Sequence, residues 1–318
     1  MIRRITDLLK NETAGDPMHG LKWTRRATRK IAGELHRVKI QIGATTVGRL
    51  LKQMGFSLRV NHKRLESGNP NPPPRRVRNR QFLYIGRKRE AFTARGYPVI
   101  SVDAKKKEMV GNFKNPGRSW GQEPYEVKDH DFRGDAQGMA IPYGIYDPRA
   151  QRGFVVVGTS HETSLFAVEA IELWWKNDGR RRYRAAKKLL LLADCGGSNS
   201  ARSRGWKYQL QHRLCNSYGL HVTVCHYPPG ASKWNPIEHR LFSEISKNWA
   251  GKPLKSYETV LKYIRTTTTS RGLKVRACLL RKKYAKGQAV SNHEMQQLML
   301  NRHQTLPQWN YTLTPSRM

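Results

Sequence analysis

Acidic residues are scarce in this chain: 23 aspartates and glutamates stand against 59 lysines and arginines, a formal net charge of +36. The excess is spread along the sequence and not gathered in one tail, so it calls for a polyanionic partner, of which nucleic acid is the usual one. An acidic membrane surface is the competing partner, but no basic amphipathic helix with a strong apolar face is visible. Long hydrophobic runs are also missing. Nothing approaches the roughly 18 apolar residues that a membrane span needs, so no membrane association is expected. The opening "MIRRITDLLKNETAGD" has no secretory apolar segment, and the expectation is an intracellular, cytoplasmic protein. Cysteine is sparse and unpaired by spacing. Cys195, Cys215, Cys225 and Cys278 form no CxxC and read as reduced thiols, not zinc ligands or disulfides. There is no internal repeat. A mean hydropathy of −0.72 over 318 residues suits a polar-surfaced chain long enough for a full core and two domains.

Residues 23 to 56 read as two short helices around a turn. Ile31 and Leu35 stripe the first; Val47, Leu50, Leu51 and Met54 stripe the second. Gly43 falls at the turn, and Thr45 or Thr46 is placed to cap the second helix. That is a helix-turn-helix pattern, whose second helix would present Thr46, Arg49 and Lys52 to double-stranded DNA. A proline-rich basic stretch follows, with Pro70, Pro72, Pro73 and Pro74 stopping regular structure, and then a basic helix. From residue 96 the pattern changes to strands. Val99–Val102 is an apolar strand ending on Asp103, Lys107–Phe113 is read as its hairpin partner, and residues 153–158 make a third. Helix 164–177, strand Leu189–Ala193, helix 205–219, strand 220–227 and a long helix opening at "NPIEHRLF" complete the order. That is the grammar of an α/β domain with a mixed sheet. The expected division is a helix-turn-helix region over 1–66, a linker and helix over 67–95, a catalytic α/β domain over 96–265 and a basic extension over 266–318.

Three carboxylates fall where a sheet-based site would want them. Asp103 and Asp194 each close an apolar strand, and open α/β sheets bind ligands at the carboxyl ends of their strands. If those strands are neighbours, the two charges repel unless a cation lies between them. Hard oxygen ligands without a histidine pair favour Mg²⁺ or Mn²⁺ over zinc. Glu108 is a rival to Asp103, but it lies inside the expected hairpin strand. Glu238 is the third. Asn235 as N-cap, Pro236 at N1 and Glu238 at N3 spell a capping box, which by itself would make Glu238 a helix starter only. Stepping about 100° per residue, however, puts Glu238 inside the apolar arc of Ile237, Leu241, Phe242, Ile245 and Trp249. An inward carboxylate there must be paired or coordinated. Three carboxylates on two strands and a helix suit two-metal phosphoryl transfer on nucleic acid.

The segments "SVDAKKKEMVGNFKNPGR", "AIPYGIYD", "DCGGSNSARSRGWKYQLQ", "VCHYPPGASKWNPIEHRLFSEISKNW" and "WNYT" resemble the Rhodopirellula-type family of bacterial insertion-sequence transposases. The resemblance runs from about residue 15 to about residue 312. It implies a ribonuclease H-like five-stranded mixed sheet with flanking helices, and a DDE triad on Asp103, Asp194 and Glu238 holding two Mg²⁺ or Mn²⁺ ions. The implied reaction is hydrolysis at transposon ends to free 3′-hydroxyls, then their transfer into target DNA, without a covalent enzyme intermediate. A homo-oligomer would pair the ends. The sequence departs from the family at Cys195, where glycine usually follows the second aspartate, at Pro236, where a basic residue is common, and at Leu279 and Leu280.

Around the triad, Lys105, Ser198, Asn199, Lys233, Trp234 and His239 are the expected DNA contacts, with Trp234 able to stack on a base. For His226 the expectation is packing or DNA contact. Two other readings stay open on sequence: a DNA-binding copy without activity, and a ribonuclease H-like nuclease or resolvase that cleaves without joining.

Overall fold

The structure, a computed structural model, describes residues 2–9, 13–15, 22–24, 27–56, 72–119 and 122–316. The chain divides into two compact units, Met1–Glu66 and Ser67–Met318.

In the first unit, α1 (Ile2–Leu9) precedes a small antiparallel pair, β1 (Thr13–Gly15) and β2 (Lys22–Thr24), and then α2 (Thr28–Arg37) and α3 (Ala44–Gln53). Ile5, Ile31, Ala32, Leu35 and Val47 make its core, as the 3.6-residue stripes require. The threonine cap expected for the second helix is not used. Gly43 is itself the N-cap, and Thr45 and Thr46 lie in the first turn. Thr46, Arg49 and Lys52 share the outward side at spacings of three, and the Arg49 guanidinium lies 3.5 Å from the Thr46 hydroxyl.

The second unit opens with α4 (Arg75–Ala94), which starts directly after Pro72–Pro74; Pro70 lies outside the described residues. Then come β3 (Val99–Ala104), β4 (Glu108–Val110), β5 (Gly138–Asp147) and β6 (Arg152–Gly158). Helix α5 (Ser164–Trp174) runs on through a wide turn into the short α6 (Arg180–Arg182). After β7 (Lys188–Ala193) come α7 (Arg204–Leu210), β8 (His221–His226), α8 (Ser243–Asn248), α9 (Tyr257–Arg265), β9 (Lys274–Leu280), α10 (Asn292–Gln296), β10 (Leu300–Arg302) and β11 (Asn310–Leu313).

The expected hairpin partner of β3 is wrong. Glu108–Val110 pairs with Gly138–Ala140, and β3 pairs antiparallel with β5, Asp103 lying opposite Gly144. A proline inside "AIPYGIYD" argues against a central strand. The structure tolerates it because the Pro142 carbonyl accepts from the Lys105 amide at 2.8 Å, so its nitrogen also points past the end of β3, where no ladder bond is needed.

The sheet is nine-stranded and mixed, in the order β10-β11-β8-β7-β3-β5-β6-β9 with β4 on β5. The first five long strands in chain order, β3, β5, β6, β7 and β8, form its centre, with β3 parallel to β7 and β7 parallel to β8. This is the ribonuclease H-like order that the family resemblance implied, widened at both edges. The widening comes from residues after 265: β9 lies parallel to β6, and β11 antiparallel to β8.

One face of the sheet packs Ile100, Val102, Leu189 and Leu191 against α5 and α7 through Phe166, Trp174 and Trp206. The other packs Val155 and Val157 against Ile237, Leu241 and Ile245, and Leu190 and Leu192 against Ile85 of α4. Two strand glycines let the Ile237–Leu241 segment close on the sheet. A Cβ on Gly144 would stand 2.5 Å from Phe242, and one on Gly153 would stand 2.5 Å from Leu241. Helix α4 is locked down by a buried amide pair: Gln81 donates to the His226 carbonyl and to Asn310 Oδ1, both at 2.8 Å, and Asn310 donates back at 2.7 Å.

Candidate active site

Parallel pairing of β3 with β7 sets Val102 against Ala193, so the next residue on each strand, Asp103 and Asp194, stands side by side at the carboxyl end. Both side chains point to the face that carries Asn235 and Ile237, because Val102 and Ala193 point to the other. The Ala104 amide donates to Asp103 Oδ1 at 2.8 Å. Burial and then the Asp194 charge push the Asp103 carboxyl well above its ordinary range; Glu238 and Glu162 add to this, and the Ala104 bond opposes it. Asp194 rises to about 6, chiefly by burial, with the Asn235 bond lowering it and Glu238 raising it. A chain of +36 therefore gathers mutually repelling carboxylates at one end of its sheet, a repulsion that a proton or a bound cation relieves.

Glu238 is half-buried at the start of the helix that runs on through a π turn, Glu238–Phe242, into α8. Its amide donates to the Asn235 main-chain carbonyl at 3.1 Å. The expected capping box is replaced by something more useful to the site. The buried Asn235 side chain donates to Asp194 Oδ1 at 2.9 Å and to the Val102 carbonyl at 3.4 Å, and it accepts from the Ser101 hydroxyl. One amide thus fixes the orientation of Asp194 and ties the loop before Glu238 to the strand that carries Asp103.

The main chain of Asp194 is held from behind. His226, fully buried, donates from Nδ1 to the Asp194 carbonyl at 2.8 Å; Tyr311 donates to its Nε2 at 3.2 Å; Trp206 donates to the Tyr311 oxygen at 2.9 Å. Burial lowers His226 to about 4, which keeps the ring neutral and suits it to this donor–acceptor role. Packing, not DNA contact, is its place.

The remaining expected residues divide by exposure. Lys233, Trp234 and His239 are exposed; Trp234 stands edge-on to Phe82 of α4 at 5.9 Å, and His239 is bonded to the Lys233 carbonyl. Lys105 is buried, its ammonium 2.8 Å from Glu108 and 4.5 Å from the Trp249 ring centre, so it forms wall and not a free cation. It borders a groove of about 650 Å³ beside Glu238, whose exposed cations are Lys106 and Lys233. Ser198 and Asn199, expected at the DNA surface, are buried in the turn after Asp194. A fourth acid, Glu162, reaches the same end of the sheet, accepting from the Ser198 amide at 3.4 Å and pairing with Lys107 at 3.5 Å.

The donor set fits a hard divalent cation. Asp103 and Asp194 would hold it, and Glu238 would have to draw in, since among the described residues no three His, Cys, Asp or Glu side chains are grouped tightly enough to share one ion.

A family model described as the Rhodopirellula transposase DDE domain matches residues 4–315. The chain belongs to this transposase family. Solved structures similar to the transposase include the Mos1 strand transfer complex, at 17% identity over 83% of this chain and 69% of that one, with a TM-score of 0.44. The mariner Mos1 paired end complex with Mg matches at 14% identity over 83% and 69% (TM-score 0.45), and the Mos1 mariner catalytic domain at 14% over 62% and 82% (TM-score 0.40). No protein of curated function matches the transposase by sequence. No described helix is long and apolar enough to cross a membrane.

Proposed function

We propose that this transposase cleaves DNA at the ends of its element and transfers the freed 3′-hydroxyls into target DNA, with Asp103, Asp194 and Glu238 as the cation-holding triad. The observation that carries this reading is the pairing of Asp103 and Asp194 at adjacent strand ends, each pushed up in pKa, facing the helix that bears Glu238. When bound, Mg²⁺ or Mn²⁺, as two ions, would activate the attacking water or hydroxyl and stabilise the leaving oxygen. The chain's own contribution is placement. Asn235 and the Ala104 amide set the two aspartates, the buried His226–Tyr311 pair holds the Asp194 backbone, and the exposed Lys106, Lys233 and Trp234 take the DNA beside them. Thr46, Arg49 and Lys52 of α3 read duplex sequence, and a homo-oligomer brings two ends together. Incubating the protein and Mg²⁺ with labelled transposon ends tests this. New 3′-hydroxyls and joined products support it, cleavage without joining favours a nuclease, and binding without any break leaves a DNA-binding protein.

Asn235 gives a sharper test. Asn235→Ala removes the amide that orients Asp194 and ties the loop before Glu238 to β3, so cleavage is expected to fall about 10- to 100-fold, the range for residues that position metal ligands. The Mg²⁺ concentration for half-maximal rate should rise with it, whereas a purely structural residue would lower active protein without moving that concentration.

Helix α4 extends the surface. Arg75, Arg76, Asn79, Arg80, Leu83 and Arg87 make one exposed stripe, and among the described residues no carboxylate pairs with its arginines. Since Phe82 of the same helix touches Trp234, the stripe leads to the site. Replacing Arg76, Arg80 and Arg87 by alanine is expected to weaken duplex binding and to flatten its log–log salt slope by about 2 to 3, measured by fluorescence anisotropy.

A further inference from the structure

The other end of the sheet carries charge that the proposed reaction does not use. Three chain segments meet where β3, β6 and β7 begin: Arg95–Tyr97, the β5–β6 turn at Arg149, and the loop Arg182–Ala186. They line an open surface pocket of about 480 Å³ with four exposed arginines on its walls, Arg95, Arg149, Arg182 and Arg184. Its base is fixed. Buried Asp147 accepts from the Tyr183 hydroxyl at 2.8 Å and from the Ala150 amide at 3.0 Å, which joins the turn to the loop. The Arg149 guanidinium lies over Gly96, 3.9 Å from where a Cβ would stand. Burial and the Asp147 carboxylate push the Tyr183 hydroxyl up in pKa, and the Arg149 and Arg182 charges act against that. Among the described residues no carboxylate forms an ion pair with any of the four arginines.

Four exposed guanidinium groups around one concavity with no carboxylate partner attract an anion, and their planar forks suit phosphate oxygens. Exposed Arg180 and Arg181 of α6 before this loop, and Lys187 and Lys188 after it, continue the charge, which favours an extended polyanion over a small one. From Tyr97 to Asp103 the strand spans about 20 Å at roughly 3.3 Å per residue. A phosphate held at the carboxylates therefore cannot also fill this pocket.

We propose that the arginine pocket binds backbone phosphates of a DNA segment other than the one being cleaved, so that one protomer holds two segments. This rests on the DNA-processing reading above, but its test needs neither cleavage nor metal. Full-length protein is loaded on beads bearing a duplex without transposon-end sequence, and capture of a second, labelled duplex is measured. The wild type is expected to capture it. Arg149→Ala with Arg182→Ala should bind one duplex within about threefold of wild type, yet capture the second at least tenfold less well. Equal capture by the two proteins overturns the proposal. A second measurement needs no variant: phenylglyoxal modification of wild-type Arg149 and Arg182 should be blocked by duplex. Protection by inorganic pyrophosphate but not by duplex would make this a small-polyphosphate site and overturn the DNA assignment.

Discussion

Asp194→Asn is expected to lower cleavage at transposon ends by at least about 10³-fold, equivalent to roughly 4 kcal/mol of barrier, while duplex binding stays within about twofold of wild type. The separation follows from where the charge sits. Asp194 is half-buried among carboxylates at the end of β7, so its loss removes a cation ligand and no phosphate contact. The fold should not suffer. Asp103 is pushed up partly by the Asp194 charge, and removing a like charge relieves that repulsion. The thermal midpoint of the asparagine protein should equal or exceed that of wild type in the absence of metal. A variant that cleaves within tenfold of wild type would contradict the role given to this carboxylate.

The largest effect on stability is expected at Glu169. This buried carboxylate on α5 accepts from Arg213, in the π turn that follows α7, from Lys282 at 2.6 Å and from the Tyr284 hydroxyl. It thereby ties the chain beyond β9 to the helical layer. Glu169→Ala leaves one guanidinium, one ammonium and one phenol without their shared partner. Arg213 keeps Glu172 and Lys282 is close to half-exposed, so the cost falls mainly on the unpartnered phenol and the lost carboxylate contacts, about 1–3 kcal/mol of the roughly 5–15 kcal/mol that stabilises a domain. Urea denaturation should show the midpoint falling accordingly; a loss below about 1 kcal/mol would show that the network is not holding the C-terminal strands.

The strands bearing the two aspartates were legible because both end apolar runs, and apolar alternation reports burial directly. Glu238 was legible from the angular position of its neighbours on the helix. The partner of β3 was not, since Pro142 hides a central strand whose missing amide costs nothing at that position. Asn235 was legible only as an N-cap: its sequence context is the same whether the side chain turns to its own helix or to Asp194, and only the packing of the loop against β3 decides. Ser198 and Asn199 look like surface residues in a glycine-rich turn but are buried beneath it. The edge strands β9 and β11 were missed because strand pairing is set by partners far away in sequence. Tyr311 reaches the back of Asp194 through His226, a relation that spans more than a hundred residues and leaves no local pattern.

The most direct test of the central claim is a change of ligand chemistry at Asp194. A cysteine there exchanges a hard oxygen for a thiolate, which favours softer ions over Mg²⁺. Cleavage of labelled transposon ends by Asp194→Cys is expected to be at least about 10³-fold below wild type in Mg²⁺ and to recover at least tenfold in Mn²⁺, a recovery that Asp194→Asn should not show. Cleavage by Asp194→Cys in Mg²⁺ at the wild-type rate would contradict the account, because Asp194 would then not be holding the ion that the reaction requires.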